Sequence, residues 1–211
     1  MQSLAWLFLV LTTNAPQTAQ ELLNKVTERY DRVSTIQGSF SQQTCVKASG
    51  FCQEFKGLFY VKRLNLFRLE VTWPEPQLIV SDGVTLWTYI QSAKKAYRAD
   101  VTKSQTVFSP FELLQNYEAR YDYQLLADED NFHLVRLVPK LPNSLINDLR
   151  LYIDPNNFSI TKFKVIDGMG NEMVFNLFKV RYNKQLSDAN FSFTPPLGVE
   201  VLSSTPGFEQ K

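Results

Sequence analysis

The chain has 211 residues, 44% of them hydrophobic, with 16 phenylalanines and only 8 glycines. That length suits one domain with a substantial core. Its 22 basic and 21 acidic residues leave a net charge of +1. Such balance offers neither the clustered basic surface of a nucleic-acid binder nor a polybasic membrane anchor.

Leu4 to Leu11 (LAWLFLVL) is an apolar run followed by Thr12-Thr13-Asn14-Ala15. This pattern reads as a secretory signal peptide with a small-residue cleavage site. The run is too short to span a bilayer, which takes ~20 apolar residues. No Lys or Arg precedes it, and Pro16 would be an awkward first mature residue. We therefore expect a leader over residues 1–19 and a single domain over 20–211. Thr18-Ala19-Gln20-Glu21 reads as a capping box. Leu22, Leu23, Val26, Tyr30 and Val33 follow at helical spacing, which predicts a helix to about Asp31 with one apolar stripe against the body. Its polar face mixes both charge signs, unlike the basic face of a membrane-surface helix.

The strand Ile36–Thr44 comes next. Cys45 and Cys52, the only cysteines, flank a hairpin loop around Ala48-Ser49-Gly50. An even pair in an exported chain favours a disulfide, with free thiols as the other reading. The sole histidine is far away in sequence, so the pair does not suggest a metal site.

Gly57 to Tyr89 reads as four strands in a row. Phe59 and Val61 alternate with Leu58 and Tyr60. Phe67, Leu69, Val71 and Trp73 share one face of the next strand, opposite Arg68, Glu70 and Thr72. Pro74 and Pro76 stop it. Leu78–Val80 and Leu86–Tyr89 flank Asp82-Gly83, a hairpin signal. A strand over Lys95–Val101 follows. Ser109-Pro110-Phe111-Glu112 is a second capping box with proline at the first helical position. It opens a short amphipathic helix carrying Phe111, Leu113, Leu114 and Tyr117. This helix is either a mobile cover or a plug for one end of the sheet.

Strands resume at Tyr121–Leu126, Phe132–Pro139, Leu145–Ile153, Phe158–Ile166 and Glu172–Tyr182. The last is apolar on both faces, with Met173, Phe175 and Leu177 against Val174, Phe178 and Val180. This predicts a sheet packed on one side and lining an apolar cavity on the other. The tail Leu202–Lys211 has no periodicity and reads as a mobile end or a short added strand.

No catalytic constellation is present. His133, the one histidine, alternates with Phe132 and Leu134 in a strand and reads as structural. There is no Gly-x-Ser-x-Gly elbow, phosphate loop or zinc cluster. Asp82 and Asp154 are explained by turn chemistry. The residues describe a binding body for an apolar ligand, with no enzyme activity and no cofactor expected.

Several stretches carry a resemblance. The basic pair Lys62-Arg63 with Asn65, Phe67 and Arg68, the Pro74-Glu75-Pro76 break, the run Leu78–Tyr89, Gly38–Gln42 and the closing Phe191–Val201 resemble the periplasmic lipoprotein carrier family LolA. The resemblance spans roughly residues 20 to 201. It implies an α+β fold: an open, incomplete antiparallel β-barrel of about 10–11 strands, with an N-terminal helix and short lid helices over an apolar cavity. It implies cargo of acylated lipoproteins, carried across the periplasm from an inner-membrane ABC release complex to an outer-membrane receptor, by a protein expected to be a monomer. By the same resemblance Arg63 latches the lid by hydrogen bonds to lid backbone, and Phe67 lies near the cavity. The expected cavity residues are Phe59, Phe67, Leu69, Val71, Trp87, Phe111, Leu113 and Leu114. The chain departs from the family at Leu64, where proline usually follows the arginine. The receptor relative would need a cysteine directly after the leader, and none is there. A carrier or sensor of another lipid or glycolipid with this fold is the alternative reading.

Overall fold

The computed structural model describes residues 18–101, 109–141 and 146–203. The expected leader, residues 1–19, lies outside the described residues up to position 17. Thr18 opens helix α1 (Ala19–Asp31), its hydroxyl accepting the Glu21 N–H at 3.1 Å. Six strands follow: β1 (Thr35–Cys45), β2 (Cys52–Lys62), β3 (Leu66–Trp73), β4 (Gln77–Asp82), β5 (Thr85–Ile90) and β6 (Lys95–Asp100). Two short helices, α2 (Pro110–Leu114) and α3 (Tyr117–Arg120), interrupt them. Then come β7 (Tyr121–Glu129), β8 (Phe132–Pro139), β9 (Asp148–Ile153), β10 (Ile160–Ile166) and β11 (Glu172–Tyr182). A last strand, β12 (Glu200–Ser203), pairs parallel to β6 and brings the count to twelve.

The strands form one sheet in the order β12-β6-β5-β4-β3-β2-β1-β11-β10-β9-β8-β7. The two end strands do not pair with each other, so the sheet stays open. Every other neighbouring pair is antiparallel, and most are joined by tight turns. The inner face carries Phe59, Val61, Phe67, Leu69 and Val71 from β2 and β3, with Leu149, Leu151 and Phe163 from β9 and β10. All pack in one buried cluster with α1, whose Leu22, Leu23 and Val26 are fully buried. Fully burying an aliphatic side chain contributes about 1.5–3 kcal/mol, so the stripe on α1 is enough to seat it across the sheet.

Two bulges redirect side chains. In β3, Lys56 pairs with Trp73 while the next residue, Gly57, pairs with Val71. Thr72 is the extra residue. Trp73 consequently leaves the inner face expected for it and is half exposed beneath Lys56. Gly57 is required there, because a Cβ would lie 2.0 Å from the Glu70 carbonyl oxygen. In β11, Lys179 at φ +50° is the extra residue between Phe178 and Val180. This moves Val180 from the face expected for it, while Val174 and Phe178 stay opposite Phe175. The bulge returns Val180 to the inner face, and Phe178 is exposed on the outer one.

The outer face of β3–β5 is covered by the segment 183–199, which follows β11. Phe191, in a 3-10 turn (Asp188–Phe191), is buried, and Phe193 packs on Trp87 and Tyr89 at 5.7 and 5.4 Å. Arg68 donates to the Asn190 carbonyl at 3.2 Å. The neighbouring hairpin turns are tied together: buried Ser81 donates to the Asn65 carbonyl and accepts the Gly83 N–H. Cys45 and Cys52 face each other across the β1–β2 register and form a disulfide, with Cα atoms 4.0 Å apart.

Candidate functional site

Beneath α1 and α2 the core is incomplete. An apolar void of about 50 Å³ lies against the inner face. Phe40, Phe59, Leu69, Leu151, Phe163 and Phe175 wall it from the sheet, and Tyr30 of α1 with Pro110 and Leu113 of α2 close it from above. The sheet curls enough for Leu69 on β3 and Leu151 on β9 to border the same space.

Local sequence sets the cover. Pro110 has no N–H to lose at the first position of α2. The expected capping box is not formed: the Ser109 hydroxyl makes no cap bond and, among the described residues, is buried without a partner. Asn116, left-handed at φ +53°, breaks the single helix expected here into α2 and α3. Leu113 and Leu114 are buried, and Phe111 is half-buried edge-on to Tyr30 at 6.4 Å. Polar contacts reinforce the cover: Tyr117 donates to Asn24 at 2.8 Å, Gln20 donates to Glu118 at 3.0 Å, and Arg120 donates to the Glu112 carbonyl at 2.6 Å. Burial raises the Glu112 carboxyl above its ordinary value, with the Arg120 charge opposing. Burial, then the neighbouring Tyr182, pushes the Tyr30 phenol well above its ordinary value, so it stays protonated while accepting the Ile160 N–H.

Arg63 leaves the end of β2 and points at the last turn of α1. Its Nε donates to the Val33 carbonyl at 2.9 Å, and one Nη donates to Tyr30 and Asp31 carbonyls at 2.7 and 2.9 Å. A helix end leaves carbonyls without intrahelical partners, and a cation there also complements the helix dipole. The guanidinium lies over the Phe111 ring at 4.8 Å from its centroid. Among the described residues its hydrogen bonds therefore fasten α1, and it touches α2 through a cation–π contact rather than through backbone.

The profile of the family described as outer membrane lipoprotein carrier protein LolA matches residues 31–194. The chain belongs to this family. An outer-membrane lipoprotein carrier protein of Sodalis glossinidius is 32% identical over 189 residues, covering 89% of this chain and 90% of that one. The protein of the same description from Salmonella paratyphi A is 30% identical over 183 residues, 86% and 87% of the two chains. A solved structure of an uncharacterized conserved protein from Thermus thermophilus has a TM-score of 0.56 at 16% identity, covering 88% of this chain and 99% of that one. The likeness extends the fold beyond recognisable sequence. LolA proteins are carriers and not enzymes. The one histidine, His133, lies 3.1 Å from Asp128 near the start of β8.

The expected cavity residues of this LolA-family chain separate into groups. Phe59, Leu69 and Leu113 border the void. Phe67 and Val71 are buried on the same inner face, and Leu114 in the same cluster, without bordering it. Phe111 caps the cover beside Arg63. Trp87 is elsewhere. Its register partners Val80 and Arg98 place it on the outer face, against Phe193. Alternation alone made that legible, since Leu86 and Thr88 take the inner side. Sequence reasoning missed Tyr30, Tyr182, Phe163 and Phe175 as walls. Phe163 and Phe175 stack at 4.6 Å across β10 and β11. Their signal was present as alternating aromatics, but nothing local said which strands would curl over the void.

Proposed function

We propose that this protein binds the acyl chains of lipoproteins in the space beneath α1 and α2. In this reading it is exported to the periplasm and carries them from an inner-membrane ABC release complex to an outer-membrane receptor. The observation that carries the reading is the apolar void closed by Tyr30 of α1 and by Pro110 and Leu113 of the five-residue helix α2. On this measure about 10–15 Å³ holds one water, so a void of about 50 Å³ takes only a few, and in this reading an acyl chain enters by displacing the cover. A chain of about fifteen methylenes costs ~12 kcal/mol to hold in water. Burying it under a displaced α2 recovers most of that. Opening the cover breaks the packing of Phe111, Leu113 and Leu114 and a few polar bonds, which offsets part of the gain. Cargo remains releasable to a receptor that buries it better. The carrier names of the relatives support lipoprotein cargo over another lipid.

The test is co-purification from an envelope extract with mass spectrometry of the bound lipid, joined to photo-crosslinking. A crosslinker at Leu113 should label the acyl chain, and one at exposed Thr72 should not. Labelling at Thr72 alone, or an extract from which no acylated lipoprotein is recovered with the protein, would overturn the assignment.

A further inference from the structure

One rim of the void is built differently from the rest. There the last two turns of α1 face the start of β10 and the end of β11. Lys25 and Arg29 are one helical turn apart, on one stripe of α1. The Lys25 ammonium sits over the Phe158 ring at 5.1 Å, and the Arg29 guanidinium over the Tyr182 ring at 4.7 Å. Tyr182 itself walls the void, as does Ile160, two residues after Phe158. Neither cation has an ion-pair partner among the described residues, and the nearby helix carboxylates Glu28 and Asp31 are exposed. The Arg29 Nε is buried and, among the described residues, donates to nothing. A buried donor without an acceptor is destabilising, and most such groups are paired.

We propose that Lys25 and Arg29 form a subsite for an anionic head group on an acyl chain, a carboxylate or a phosphate, whose tail enters the void beside Tyr182. This rests on reading the void as an acyl site, and extends it to free fatty acids or phospholipids. The geometry suits the task. Two cations held over aromatic faces stand one helical turn apart, and an oxygen anion placed between them would give the buried Arg29 Nε an acceptor. The neutral ester carbonyls of a diacylglyceryl group would accept one donor but leave two positive charges unmatched.

The test compares laurate, dodecyl phosphate and methyl laurate on the full chain, by displacement of the neutral probe N-phenyl-1-naphthylamine at low salt. Laurate or dodecyl phosphate should displace the probe at least about tenfold better than methyl laurate, as charged hydrogen bonds imply. Added salt should narrow the gap. Preference for dodecyl phosphate over laurate would identify a phospholipid-like head, and the reverse a fatty acid. The double variant Lys25→Gln/Arg29→Gln should lose that preference and bind methyl laurate unchanged, which also reports an intact fold. Arg29→Lys should keep part of it. Equal binding of all three ligands by the wild type, or an undiminished preference in the double variant, would overturn the subsite and leave the carrier reading standing. No binding of any of the three would overturn both.

Discussion

The guanidinium of Arg63 lies 4.8 Å from the centre of the Phe111 ring while it holds the Val33, Tyr30 and Asp31 carbonyls. One side chain thus joins the β2–β3 turn, the end of α1 and the cover helix α2. We expect Arg63→Leu to favour the open state. Arg63 is exposed, so the loss should sit near the low end for charged hydrogen bonds, about 1.5 kcal/mol, or roughly tenfold in the closed-to-open ratio. The variant should load acyl cargo at least as well as wild type and surrender it poorly, because closure helps to expel the ligand. Arg63→Lys should be intermediate, keeping the charge but not the planar fork. A two-step assay scoring loading and handover separately checks this. Normal behaviour in both steps would leave Arg63 as a helix cap only.

Leu64 bears on the same turn. It is left-handed at φ +68°, as is Asn65 at φ +59°, and its side chain is 86% exposed. Proline, the usual family residue there, holds φ near −65° and cannot take this conformation. This turn therefore differs in shape from a proline-bearing one. We expect Leu64→Pro to lower the urea midpoint and to weaken the Arg63 contacts. Leu64→Gly should raise the midpoint modestly, because a non-glycine residue costs about 1–2 kcal/mol in this region and glycine's unfolded-chain entropy returns part of the gain. A proline variant as stable as wild type would mean that the turn reshapes freely.

Most of the sheet was legible from alternation. Phe132–Pro139 and Glu172–Tyr182 coincide with β8 and β11, and Phe59, Val61, Phe67 and Leu69 are buried as their spacing indicates. What failed was set by tertiary pairing. The bulges at Thr72 and Lys179 shift Trp73 and Val180 to the opposite faces, and neither position announces itself as a bulge in sequence. Trp87, expected at the cavity through the resemblance, lies on the outer face that strand alternation assigns it. The break between α2 and α3 turns on Asn116, whose left-handed conformation is permitted but not required by its type. Arg63 was identifiable through resemblance, but its partners on α1 depend on a contact across some thirty residues that no local pattern encodes.

Thr18 bears on where the expected leader, read as residues 1–19, would end. Its hydroxyl caps α1 and Ala19 is buried beneath it. A mature chain starting after Ala19 would lose the cap, worth typically ~1 kcal/mol. We expect cleavage before Thr18, and a mature protein with the Cys45–Cys52 bridge formed. Intact-mass analysis of the exported protein should show a leader lost upstream of Thr18 and two hydrogens fewer than after reduction. A mature start at Gln20 or beyond, or two free thiols, would refute this.

Glu112 gives the cover a pH dependence. Its carboxyl is half-buried on α2, and burial raises it above the ordinary 4.5, against the pull of the Arg120 charge. A raised carboxyl means that the folded state binds a proton that the unfolded chain has already released. Between the ordinary value and the raised one, stability therefore falls as pH rises. Below the ordinary value both states are protonated and the effect is flat. Above the raised value the full penalty of the buried charge is present. We expect wild type to lose stability relative to Glu112→Gln as pH climbs through that window, with a constant difference once pH is above the raised value. Because the charge burdens α2 specifically, uptake of an acyl probe should also be faster at neutral pH than at pH 4, and this difference should vanish in Glu112→Gln. Urea midpoints for both proteins across the pH series, with stopped-flow uptake at the two ends, provide the measurement. Parallel stability curves would mean that the Glu112 carboxylate is as well solvated under the cover as it is in the unfolded chain.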